Sequence, residues 1–96
     1  MKRFKLSPEA ALDIRDIWAY IADDSVKAAR KVRLSLFDAC KLLAENPNIG
    51  HTREDLTDQA VLFWPVGSYL ITYDPRTRPL AVVRVVHASR DVPSLF

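Results

Sequence analysis

The chain has one cysteine, two histidines and two glycines among its 96 residues, and each scarcity closes a class of function. Cys40, being alone, cannot form an intramolecular disulfide, and its apolar helical surroundings read as a small core residue rather than a nucleophile. A reducing compartment is expected. Two histidines and one cysteine at no useful spacing cannot build a zinc site, so no metal is expected. Gly50 and Gly67 stand apart, whereas a loop that cradles phosphate needs clustered glycines. No serine or cysteine triad has a supporting pattern. No apolar run approaches the ~20 residues that span a bilayer, and Met1 leads straight into Lys2-Arg3-Phe4-Lys5 without an apolar signal core. The expected location is cytoplasmic, with no membrane contact and no cofactor.

What is present suits one globular domain over residues 1–96. Apolar residues make up 49% and charged residues 27% of the chain, enough for a modest core but not for two lobes with a cleft between them. Any active surface must therefore lie on one sheet or helix face. The net charge of +2 is small but uneven: Lys27, Arg30, Lys31, Arg33 and Lys41 are opposed only by Asp38. Such a basic helix is commonly just a solvated face, and it suits an acidic protein partner better than nucleic acid.

The segment from Arg3 to Leu6 reads as a short strand. Ser7 is a good N-cap, Pro8 suits the first helical position and Glu9 complements the helix dipole. A helix follows to about Ala22, with Ala10, Ile14, Ile17 and Ile21 on its apolar stripe. Asp23-Asp24-Ser25 gives a break and a second N-cap, and the next stripe is Ala29, Val32, Leu36, Cys40 and Leu43. Asn46-Pro47 stops this helix, because the residue before proline is pushed out of the helical region. The short connection predicts an antiparallel helix hairpin. A polar loop from Asn48 to Gln59 precedes three strands: Val61 to Pro65, Tyr69 to Tyr73 and Leu80 to His87. Gly67 sits in the turn between the first two. The fold class is α+β, with the order β-α-α-β-β-β and a small antiparallel sheet.

Strict alternation puts Leu70 opposite Tyr69, Ile71 and Tyr73, and puts Val82 and Val86 on the face of Arg84. The sheet is then apolar on both faces, and a helix hairpin covers only one. The second face is expected to be capped by the tail through Val92, Leu95 and Phe96, or covered by another protein, which is the favoured reading. Leu12 and Tyr20 fall off the main helix stripe, as do Leu34 and Phe37 on the second helix. They either touch neighbouring elements or form a groove for a partner.

Arg84 and His87 lie in a β-branched strand, with Arg90 and Asp91 just beyond it, and such groups need partners, solvent or a task. With Arg53 they could hold a phosphate or act as acid and base in RNA cleavage. Equally, His87 could make a local hydrogen bond and Arg90-Asp91 could stabilise a turn, the commoner roles for such residues.

In order and spacing, Leu6-Ser7-Pro8-Glu9-Ala10, Asp16-Ile17-Trp18-Ala19-Tyr20-Ile21, Asn46-Pro47-Asn48-Ile49-Gly50 with Arg53 and Asp55-Leu56, Pro65 to Tyr73, Val83 to Asp91 and Leu95-Phe96 resemble the ParE branch of the RelE/ParE toxins of bacterial type II toxin-antitoxin operons. The resemblance spans nearly the whole chain. It implies a helix hairpin on a small sheet, and a toxin that inhibits DNA gyrase without being an enzyme. It also implies a cognate antitoxin, a ribbon-helix-helix protein of ParD type whose C-terminal segment folds onto the toxin. The heteromeric complex would repress its own operon, with no direct DNA binding expected of the toxin alone.

RelE-like members instead cleave messenger RNA on the ribosome with basic residues of the sheet and often a terminal tyrosine. In this chain the matching positions carry Val61, Phe63, Leu70 and Phe96, and only Arg90 keeps its type. A phenyl ring lacks the hydroxyl, and valine cannot neutralise a phosphate. The resemblance thus implies target-binding candidates Arg53, Arg84, His87, Arg90 and Phe96. The antitoxin candidates are Leu12, Trp18, Tyr20 and Leu70. If the chain were RelE-like, Arg84, His87 and Arg90 would be the catalytic set. A non-toxic interaction module that binds an acidic partner through the second helix is the remaining alternative. Leu62 and Ser68 depart from the family pattern, each replacing a frequent basic residue near the hairpin.

Overall fold

Ser7 starts the fold by serving two elements at once. In the computed structural model, which describes residues 3–89, its Oγ accepts the Ala10 N–H at 2.9 Å and donates to the Val83 carbonyl at 2.7 Å. One hydroxyl therefore caps a helix and ties it to a strand 76 residues away. Strand β1 (Phe4–Leu6) leads into α1 (Pro8–Ala22), with Pro8 in the first turn. Ser25 caps α2 (Val26–Glu45) through the Ala28 N–H at 3.1 Å. Asn46 closes α2 through its backbone and side-chain N–H groups, both donating to the Leu42 carbonyl. The expected helix boundaries and caps hold.

Strands β2 (Leu62–Val66), β3 (Tyr69–Asp74) and β4 (Leu80–His87) follow. Gly67, at φ +57°, turns β2 into β3, in the left-handed region that side chains disfavour. The sheet order is β1-β4-β3-β2. Strands β2, β3 and β4 form the expected antiparallel meander, but β1 pairs parallel with β4, so the sheet is mixed rather than antiparallel. A parallel neighbour requires a crossover, which the helix hairpin and meander together supply.

The second departure lies inside β4. Thr72 pairs with Arg84 but Tyr73 pairs with Val82, which leaves Val83 as an extra residue in a β-bulge. Alternation breaks there. Val82 and Val85 both join the main core beneath the helices, while Val86 joins a second cluster with Phe63 and Leu70. Val82 and Val86 therefore do not share a face. The main core sets Ala10 and Ile14 of α1 and Leu36, Cys40 and Leu43 of α2 against Ile71, Tyr73, Leu80, Val82 and Val85.

The second sheet face is closed. Phe63, Thr72 and Val86 are at most 2% exposed and Leu70 is 7% exposed, and Leu56 and Val61 from the chain before β2 pack there. That chain segment is held down from beneath by Tyr73, whose hydroxyl donates to the Pro47 carbonyl at 2.7 Å and accepts the Gly50 N–H at 2.9 Å. A Cβ on Gly50 would lie 2.5 Å from the Tyr73 oxygen. The polar loop is further pinned by reciprocal backbone bonds between His51 and Phe63, and the His51 ring stacks on Trp64. Among the described residues no helix is long and apolar enough to cross a membrane.

Candidate partner-binding surfaces

Arg84, a candidate for the target or cleavage set, is engaged within the fold. Its Nε and Nη2 donate to the two Asp13 oxygens at 2.8 and 2.9 Å, a two-pronged ion pair whose side chains are 20% and 13% exposed. The same Asp13 carboxylate accepts the Val85 N–H at 3.0 Å. The hydrogen bonds to Asp13 hold the Arg84 guanidinium further above its already high ordinary pKa. A cation so occupied is not free to grip a phosphate.

The other described members of the expected cluster, His87 and Arg53, each have partners close in sequence. His87 lies edge-on to Tyr69, with ring centroids 5.3 Å apart. Its Nδ1 accepts the Ser89 N–H at 3.1 Å and lies 2.6 Å from Ser89 Oγ, the local turn bond that was one of its two readings. Arg53 is committed within its own loop to Asp55, with both N–H···O distances at 3.0 Å. That pairing lowers the Asp55 pKa and raises that of Arg53. Arg90 and Phe96 lie outside the described residues. Among the described residues no group of histidine, cysteine and carboxylate side chains could hold a metal. Burial pushes the Cys40 thiol up to about 12, which removes it as a nucleophile at neutral pH.

The four antitoxin candidates are also separated. Trp18 and Tyr20 lie on opposite flanks of α1, about 160° apart at 100° per residue. Trp18 lines a groove of about 430 Å³ between the helices, with Leu6, Ala11, Ile14 and Phe37 as its apolar lining and Arg15 and Arg33 beside them. The Arg33 guanidinium sits 5.7 Å above the Phe37 ring. Tyr20, 82% exposed, lines a second recess of about 540 Å³ with Asp16, Tyr69, Val85 and His87. Leu12 is 48% exposed on the outer side of α1. Leu70, the fourth candidate, is buried in the second cluster with Phe63 and Val86. Phe37 was one of the off-stripe groove candidates and Arg33 part of the basic helix, whereas Arg15 had no assigned role. The i,i+4 spacing of Arg33 and Phe37 was the available signal, but the partner helix that completes the groove is not visible in local sequence.

A helix hairpin laid on a four-stranded mixed sheet is also the architecture of a solved structure described as the chromosomal ParDE TA system from P. aeruginosa. It superposes with a TM-score of 0.75 at 17% identity, over 93% of this chain and 98% of that one. At that identity the likeness is one of fold. Residues 4–92 match the family model of the ParE toxin of type II toxin-antitoxin system, parDE, and the chain belongs to that family. No curated protein matches it.

Proposed function

We propose that this chain poisons DNA gyrase as a non-enzymatic toxin and is neutralised by a ParD-like ribbon-helix-helix antitoxin. The observation that carries this reading is the closed second sheet face. Phe63 and Leu70, at positions where ribonuclease relatives would carry basic groups, are apolar and buried, while Arg84 is spent on Asp13. Cleaving a phosphodiester calls for exposed cations and a placed acid and base. A surface of this kind suits gripping another macromolecule. The Trp18 groove fits the antitoxin, because its apolar lining and paired arginines match an acidic amphipathic segment laid between two helices.

The experiment is a direct comparison on purified protein. Loss of gyrase supercoiling with accumulation of cleaved DNA is the expected result, together with intact transcript on programmed ribosomes. Transcript cut in the decoding site, with gyrase unaffected, would establish the ribonuclease reading instead. Inactivity in both assays, with no effect of induction on growth, would leave an interaction module.

A further inference from the structure

The outer edge of β4 is only partly used. Strand β1 pairs with it from Leu80 to Val82 and then turns away at Ser7. Beyond that point side chains substitute for a strand: Ser7 Oγ donates to the Val83 carbonyl and the Asp13 carboxylate accepts the Val85 N–H. The pairing with β3 fixes which groups come next. The Ala88 N–H donates to the Ser68 carbonyl, so in this register Leu70–Val86 and Thr72–Arg84 are the hydrogen-bonded pairs. Val85 and His87 then direct their backbone groups away from β3. The Val85 carbonyl and the His87 N–H and carbonyl thus face the recess beside α1, and none is engaged by another described residue.

That recess has a definite chemical character. Acceptors dominate it: the exposed Asp16 carboxylate, the Asp13 carboxylate and the outward carbonyls of β4. The rings of Tyr20 and Tyr69 add two π-faces. Arg84 already balances Asp13 at 2.8 Å, whereas Asp16 has only an exposed Arg15 at 3.8 Å. Among the described residues no lysine or arginine lines the recess.

We propose that this edge is a docking strip for an extended, arginine-bearing segment of a protein partner. The segment adds to β4 beyond the end of β1, receiving the His87 N–H and donating to the Val85 carbonyl. Its guanidinium lies against Tyr20 and Tyr69 and pairs with Asp16. An acidic segment would meet Asp13 and Asp16 and be repelled. The basic groove at Trp18, on the other flank of α1, has the opposite preference, so α1 sorts partner segments by charge. This inference does not depend on gyrase being the target.

The test uses the full-length protein, labelled with nitrogen-15, and a capped peptide of alternating threonine and valine around one central arginine. Expected are saturable amide shifts at Asp16–Tyr20 and Val85–His87, with slowed hydrogen exchange of the His87 N–H. Replacing the arginine by citrulline, or introducing Tyr20→Ala or Asp16→Asn, weakens binding about five- to tenfold. Both side chains are exposed, so the fold survives these changes. N-methylation of the peptide backbone facing β4 abolishes the exchange protection. The proposal fails if millimolar peptide shifts none of these amides, if citrulline binds as well as arginine, or if the shifts fall instead at Leu6, Arg33 and Phe37 of the other groove.

Discussion

The Arg84 guanidinium and the Asp13 carboxylate, 71 residues apart in sequence, meet in a two-pronged ion pair that joins β4 to α1. Asp13 also takes the Val85 N–H at the point where β1 has stopped pairing. One carboxylate therefore neutralises a partly buried cation and completes a strand edge.

Arg84→Ala should accordingly cost about 2–4 kcal/mol, because it leaves Asp13 with its charge uncompensated in a confined site. Urea denaturation measures this directly. If the variant were as stable as the parent but lost activity against its target, Arg84 would belong to the target surface after all.

How much was legible beforehand follows from the same residues. Helix boundaries were readable because Ser7, Pro8, Ser25 and Asn46 act on backbone groups within four residues of themselves. The Arg84–Asp13 contact was not, since no local pattern encodes a pair across the chain. The bulge at Val83 was hidden for a related reason: every residue from Leu80 to Val86 except Arg84 is apolar, so the sequence offers no polar marker for where alternation slips. Leu70 looked free because Leu56 and Val61, which pack against its cluster among the described residues, lie in and just beyond a loop that reads as mostly polar.

Tyr73 and Gly50 give a second prediction. Tyr73→Phe removes a donor and an acceptor at once and should cost about 1–3 kcal/mol, since the Gly50 N–H and the Pro47 carbonyl lose their partner. Gly50→Ala should cost at least as much, as its Cβ would press on the Tyr73 oxygen and ring. In the double variant the two losses should fall short of their sum, because removing the hydroxyl relieves part of the clash. Strict additivity would show that the contact does not hold the loop.

Thr72 is fully buried and its Oγ1 has no hydrogen-bond partner among the described residues. Thr72→Val, which swaps an unpaired hydroxyl for a methyl group of the same shape, should stabilise the protein by about 1 kcal/mol. A fall in the urea midpoint would be the contrary result.

Trp18 tests the antitoxin reading separately from the gyrase reading. Trp18→Glu places a negative charge in the groove between Arg15 and Arg33 and removes its largest apolar surface. Neutralisation by the acidic antitoxin segment should weaken more than tenfold, with about 2 kcal/mol or more lost at such an anchor. Gyrase inhibition should persist. Titration calorimetry with the antitoxin and a supercoiling assay separate the two effects.

The alkaline limit of stability should be set by Cys40 and Tyr73. Burial raises the Cys40 thiol from an ordinary value of 9.0 to about 12, and also raises the Tyr73 hydroxyl above its usual 10.0. Both groups ionise more readily when unfolded. Their contribution is therefore fully present below pH 9 and is lost as pH rises toward 12, by a few kcal/mol for the thiol. Cys40→Ala should lower stability at pH 7 modestly, through the small cavity it leaves, yet flatten the decline between pH 9 and 12. Tyr73→Phe should flatten only the part above pH 10. Urea midpoints across this range, with the parent and both variants side by side, carry the comparison. An unchanged alkaline slope in Cys40→Ala would mean that the thiol ionises in the folded protein, and thiol labelling of the native state would then proceed without unfolding.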